Sequence, residues 1–265
     1  MAKVQQKSEK ISAFGGILFV LDKFDRILSS VIDSHLGLRS KLIGYQYSEI
    51  IRAVFSVFCC GGDCMEDLNL YLKDVLTERP HTRVPNADTV LRGIEELATE
   101  NISYTVEKTG NVYDFNTAEK LNQLLIKLLL ATGQLAEGGE YTYRCILTND
   151  WDMTDEEIIQ HYNKRGSAEQ VFDRQNNDFG WAHLPKSFMN QNTVFLLLTA
   201  MAANFYRYIV ALPLMAVLFG IKATDRVKSF LFRFIAVPAK WVRTARQYKL
   251  NIYSNKPYKL IWEHG

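Results

Sequence analysis

Residues 194–219 constrain the fold most. The run is mostly apolar, so it must leave water. Asn204, Arg207 and Pro213 interrupt it, and neither half reaches the ~20 apolar residues that a membrane span requires. We read a buried core helix over about 192–210 and a second, shorter segment after it, with no membrane as partner. A chain of 265 residues, 48% hydrophobic and 23% charged, can build such a core without disulfide or metal staples. It is long enough for one large domain or two ordinary ones.

Helical periodicity dominates the first hundred residues. Residues 1–15 form a polar leader with no apolar stretch that would mark a secretion signal. From 17 to 36 apolar residues recur at helical spacing, and Gly37 closes the run. A second helix is expected over 48–60 with Ser48 as N-cap, broken by Gly61 and Gly62. Asp63 stands where it would cap a third, over 64–76. Beyond Pro80 and Pro85, Asn86 or Asp88 starts a helix that runs to 99, with Thr89, Arg92 and Glu96 at its surface. Two short helices across a turn suit a helix-turn-helix reader, which makes Arg92 a candidate DNA contact. Most such pairs are simply packed helices, and that alternative stays open here.

Strands come late. Residues 101–115 read as a small hairpin around Gly110 and Asn111, and 116–130 as an amphipathic helix with Leu121, Leu124, Leu125, Leu128 and Leu129 on its buried stripe. YTYRCIL (141–147) is rich in aromatic and β-branched residues and reads as a strand. Thr154 with Glu157 three residues on forms a capping box, starting a helix to about Asn177 that could bend at Gly166. Alternation near 231–237 and 248–253 suggests two more strands, with Pro238 excluded from any central position. The class is α+β, mostly helical.

Net charge is +2, which by itself points to no partner, but the distribution is uneven. Between 222 and 259 there are ten Lys or Arg against the single acid Asp225, a segment that would be drawn to a polyanion unless acids elsewhere balance it. The four cysteines are Cys59, Cys60, Cys64 and Cys145, with no histidine at ligand spacing. They read as reduced, mostly buried thiols of a cytoplasmic protein rather than a zinc site.

The densest polar chemistry lies in HYNKRGSAEQVFDRQNNDFGW (161–181). Tyr162, Arg165 and Glu169 are spaced i, i+3, i+7 and share one helix face. A carboxylate can hold a divalent cation, and a guanidinium can grip a phosphate with two parallel hydrogen bonds. The plain alternative is a solvated face with an Arg165–Glu169 pair worth a few tenths of a kcal/mol.

In this company, Tyr162-x-x-Arg165-x-x-x-Glu169 resembles the C-terminal signature of bacterial insertion-sequence transposases of the DDE type, whose core is ribonuclease-H-like. Residues 44–69 and 85–99 are similar to the N-terminal helical region of one subgroup. The strand 141–149, the NFYRY segment 204–208 and the basic end 232–247 also fit. The resemblance implies binding of the element's inverted repeats in double-stranded DNA, cleavage at its ends and strand transfer by two-metal phosphoryl transfer, with Mg²⁺ as cofactor. It implies that Glu169 is the catalytic, metal-holding glutamate and that Tyr162 and Arg165 hold DNA phosphate near the cut. It further suggests 1–135 as a DNA-end-binding region and 141–265 as a fragment of the catalytic core with a basic tail, where Lys240, Arg243 and Arg246 would contact DNA. The family's Lys seven residues after the glutamate is replaced here by Asn176.

The larger departure concerns two aspartates. In such enzymes they stand on strands between the N-terminal helices and the glutamate helix. Here only AEGGE (136–140) separates the end of the N-terminal region from strand 141–147, and there is no room for those strands. Asp150 and Asp152 read as turn and cap residues. The expectation is an internally deleted, catalytically impaired transposase, or a DNA-binding or inhibitory remnant. It would be nucleoid-associated in the cytoplasm and would form homo-oligomers or mixed oligomers with intact enzyme. Loss of the first strands would leave sheet edges and the apolar face of the helix at 192–210 exposed, and the fold less stable and prone to associate.

Overall fold

The computed structural model describes residues 9–39, 43–99 and 154–264. The expected hairpin at 101–115, helix at 116–130 and strand at 141–147, with Cys145, Asp150 and Asp152, lie outside the described residues. So do the side chains at 155, 156, 158, 159 and 161–168 within the helix that spans them.

Ten α-helices and one hairpin make up the described elements. They are α1 (Ile17–Phe24), α2 (Ser30–Leu36), α3 (Tyr47–Cys59), α4 (Lys73–Thr77), α5 (Ala87–Thr99), α6 (Asp155–Asp178), α7 (Met189–Ala211), α8 (Pro213–Phe219), α9 (Val227–Phe230) and α10 (Tyr258–His264), with strands β1 (Ala239–Thr244) and β2 (Gln247–Ile252) before α10. π-helical turns at Asp25–Ser29, Leu68–Leu72 and Leu231–Ile235 join α1 to α2, lead into α4 and extend α9. The α+β, mostly helical class holds, with a single antiparallel pair as the sheet among the described residues.

The core is organised around α7, which packs on α3 and α5. Val194, Phe195, Leu198, Met201, Ala202, Phe205, Ile209 and Val210 are buried along it. The apolar face at 192–210 is therefore covered, which corrects the expectation that it is exposed: α3 and α5, from the first hundred residues, pack on it. By length and composition α7, 23 residues long, could cross a membrane, which the sequence reading did not allow; 61% of its most apolar window is buried inside this protein. Pro213 falls at the first position of α8, where its missing N–H costs nothing.

The two ends of the chain share this core. Phe19 of α1 meets Phe234 and Trp262 edge-on at 5.8 and 5.3 Å, and Phe219, Phe234 and Tyr258 continue the ring cluster. The approach depends on glycine. Gly16 N donates to Ile235 O at 3.1 Å, and a Cβ on Gly16 would stand 2.1 Å from Phe234 O. Residues 12–16 are thus not a polar leader: Ser12 is buried and bridges Ala239 of β1 through two backbone hydrogen bonds.

Other local expectations need correction. Ser48 lies inside the first turn of α3 and its hydroxyl donates to Asp33 at 2.8 Å; Gln46 is the cap, its N–H donating to Glu49 at 2.8 Å. Asp63 does not cap the next helix with its side chain; instead Asp67 reaches back to accept from the backbone N–H of Asp63 and Cys64. Residues 231–235 are helical rather than a strand. Phe230 and Phe234, four apart, stack at 5.3 Å in the ring cluster, so packing overrides their β propensity. Cys59 and Cys60 are buried thiols, and burial pushes Cys59 up to about 12, whereas Cys64 is exposed.

Candidate nucleic-acid interface

Helix α6 runs unbroken from Asp155 to Asp178, through Gly166. Thr154 starts it: its hydroxyl accepts from Glu157 N at 3.4 Å while the Glu157 carboxylate accepts from Thr154 N at 2.9 Å, which holds that carboxyl below its ordinary range. Positions 162, 165 and 169 consequently share one stripe of a single helix, which continues at 173 and 176. Glu169 is exposed. One turn further on, Asp173 is engaged by Arg226 at 3.1 Å.

The end of α6 is fixed firmly. Arg226 clamps Asp178 with bonds of 3.0 and 3.2 Å. Phe179 is buried against Phe58 and Tyr206. Gly180 turns the chain with a φ of 72°, which favours glycine, and a Cβ there would meet the Phe58 ring at 2.9 Å. Trp181 then donates from Nε1 to Thr199 of α7 at 2.7 Å. Beside this junction lies a cleft of about 50 Å³, lined by Arg174, Gln175, Asp178, Asn204, Arg207 and Arg226 among others. Both polar interruptions of the long apolar run, Asn204 and Arg207, line it.

Of the other candidate DNA contacts, Arg92 is exposed on α5, its Nη2 3.4 Å from Thr89 Oγ1. Lys240 on β1 pairs with Glu9 at 3.2 Å. Arg243 opposes Tyr248 across the hairpin, its guanidinium 5.5 Å from the ring centre. Ala245 and Arg246 form the two-residue turn, both with positive φ (49° and 69°), a conformation that asparagine and glycine adopt far more readily. The hairpin tip therefore presents Arg243, Arg246 and exposed Lys249 without an ion pair among the described residues. Elsewhere in the basic segment Arg226 is answered by Asp173 and Asp178, Arg233 by Asp225 and Lys259 by Glu263. The structure does not gather Glu169, Arg92 and the hairpin tip into one described cluster.

Among the described residues no group of three His, Cys, Asp or Glu side chains could hold a metal ion. Glu169 alone would leave a divalent cation mostly water-coordinated and could not fix two of them ~3.5–4 Å apart. The described residues therefore do not fit a two-metal centre.

A family model described as "Transposase DDE domain group 1" matches residues 132–265. Comparison with curated proteins and with solved structures finds no match.

Proposed function

The chain belongs to the DDE transposases, and from that premise we propose that it is an internally deleted copy from a bacterial insertion sequence that binds DNA without cutting it. DNA is the substrate class of the family and a divalent metal its usual cofactor, here taken as Mg²⁺. Glu169 would be one of the residues that hold it and phosphoryl-transfer chemistry is what it would supply, for which the described residues do not suffice. The observation that carries the reading is a linker of only 136–140 where two catalytic strands would have to stand, and among the described residues no group of three His, Cys, Asp or Glu side chains could hold a metal ion.

Retained DNA binding rests on cations, which the missing aspartates leave untouched. Tyr162 and Arg165 lie on the stripe of Glu169 and would hold phosphate beside it. The hairpin tip offers Arg243 and Arg246, with Lys240 nearer its base and Arg92 on a separate helix. A two-stranded ribbon of this size fits the major groove. In this reading 1–135 serves element-end binding and 141–265 is the remnant of the ribonuclease-H-like core, even though helices from both parts share one hydrophobic cluster. Exposed Val171 and Phe172 on α6 support association with a second copy or with intact enzyme, and the setting is the bacterial cytoplasm at the nucleoid.

The test is a strand-transfer assay with this full chain, Mg²⁺ and a duplex carrying the DNA that flanks its gene. We expect a shifted complex and no joined product. Mg²⁺-dependent joining would overturn the proposal.

A further inference from the structure

We propose that the cleft between α6 and α7 is a phosphate seat in which Arg174 and Arg207 grip one phosphodiester of bound DNA. This rests on the DNA-binding reading above and adds a site to it. The charges in the cleft are unequal. Asp178 is answered by Arg226, and Asp225 by Arg233. Arg174 and Arg207 have no carboxylate partner among the described residues. Instead they face each other's field: burial first, and then Arg174, hold the Arg207 guanidinium below its ordinary value. Two half-buried guanidiniums with no counter-ion among the described residues repel each other, and an anion bridging them relieves that repulsion and satisfies planar donor forks at once.

A second observation points the same way. Gln175, 5% exposed, lines the same cleft, and its Oε1 has no hydrogen-bond partner. A buried amide oxygen left unpaired costs the free energy of its lost hydration. The Gln175 amide can present either end, and with Nε2 turned inward it donates to the same anion. Asn204 adds a further amide to the lining. Arg174 is five residues past Glu169 on one helix, roughly 7.5 Å along its axis and about 140° around it, so the seat is separate from the stripe of Glu169. The acceptor is thus a backbone phosphate rather than a base edge, and the contact is indifferent to sequence.

The experiment measures affinity of the full chain for a 30-base-pair duplex across a salt series, for wild type, for the pair Arg174→Gln with Arg207→Gln, and for the same two positions changed to Lys. Melting curves on each confirm folding. The glutamine pair should weaken binding about tenfold or more and lower the salt slope by about one, while the lysine pair keeps most of the slope. Unchanged affinity and slope in the glutamine pair, with wild type binding, would overturn the seat and leave the DNA reading intact. Wild type failing to bind duplex at low salt would overturn both. If inorganic phosphate raises the melting temperature of wild type and not of the glutamine pair, yet DNA affinity is equal, the cleft takes free phosphate and the DNA version falls.

Discussion

Two sets of half-buried arginines in this protein do opposite things. At the junction of the chain ends, Arg79 lies between Asp22 and Asp25 with bonds of 2.6 Å to each, and Arg52 meets Asp25 at 2.8 Å. Trp262 donates to the other oxygen of Asp22 at 3.0 Å. Every charge there has a partner, and the network ties α1 to the segment after α4 and to α10. In the cleft beside α6, Arg174 and Arg207 have no carboxylate partner among the described residues. Balanced charges of the first kind hold a structure together. Unbalanced charges of the second kind are a cost in the free protein that a ligand removes.

Breaking the junction should have the largest effect. Gly16→Val drives a side chain into the Phe234 carbonyl and should cost more than about 3 kcal/mol, read as a lower denaturation midpoint. Arg79→Ala comes next. It removes the cation shared by two partly exposed carboxylates and should cost about 2 kcal/mol, below the 3–5 kcal/mol of a fully buried pair, because Arg52 still holds Asp25, Trp262 still holds Asp22 and water reaches Asp22. The glutamine pair in the cleft should leave stability unchanged or slightly raised.

Acid sharpens the comparison further. Burial pushes the Asp25 carboxyl up, but Arg52 and Arg79 outweigh it and hold it below the ordinary carboxylate range when folded. A carboxyl depressed in the folded state contributes stability that is complete above its unfolded value of about 3.9 and is lost as pH falls through the folded value. Urea midpoints should therefore fall below about pH 4, and Asp25→Asn should flatten that acid limb while lowering the midpoint at neutral pH. The smallest expected effects are at the hairpin and at Glu169. Replacing Ala245 and Arg246 by Asn and Gly should stabilise by roughly 1 kcal/mol by relieving the turn, and should weaken DNA binding if Arg246 is a contact. Glu169→Gln, at an exposed position, should change stability by less than about 0.5 kcal/mol.

The sequence was most legible where one rule decided the outcome. Thr154 and Glu157 announce the start of α6, Pro213 the start of α8, and the apolar run 194–210 a core helix. Residues 231–235 were misread because phenylalanine suits strands and helix cores alike, and only the ring cluster with Phe19 and Tyr258 decides between them. Ser48 has the chemistry of a cap but is claimed by Asp33, fifteen residues back, which no local pattern reveals. The closeness of Gly16 to Phe234 is likewise invisible in a chain where more than two hundred residues separate them. For the candidate site, the stripe 162–165–169 was readable from spacing alone. The cleft was not, yet a signal existed: Asn204 and Arg207 interrupt an apolar helix, and a charge placed there needs either a partner or a task.

The measurement that tests the contrast most directly is the melting temperature of the Arg174→Gln, Arg207→Gln protein with and without saturating duplex DNA, since a ligand that binds only the folded state raises it. The account predicts a bare melting temperature at or above that of wild type and a clearly smaller rise on adding DNA. A bare melting temperature that falls as it does for Arg79→Ala, with the full DNA-induced rise retained, would contradict it.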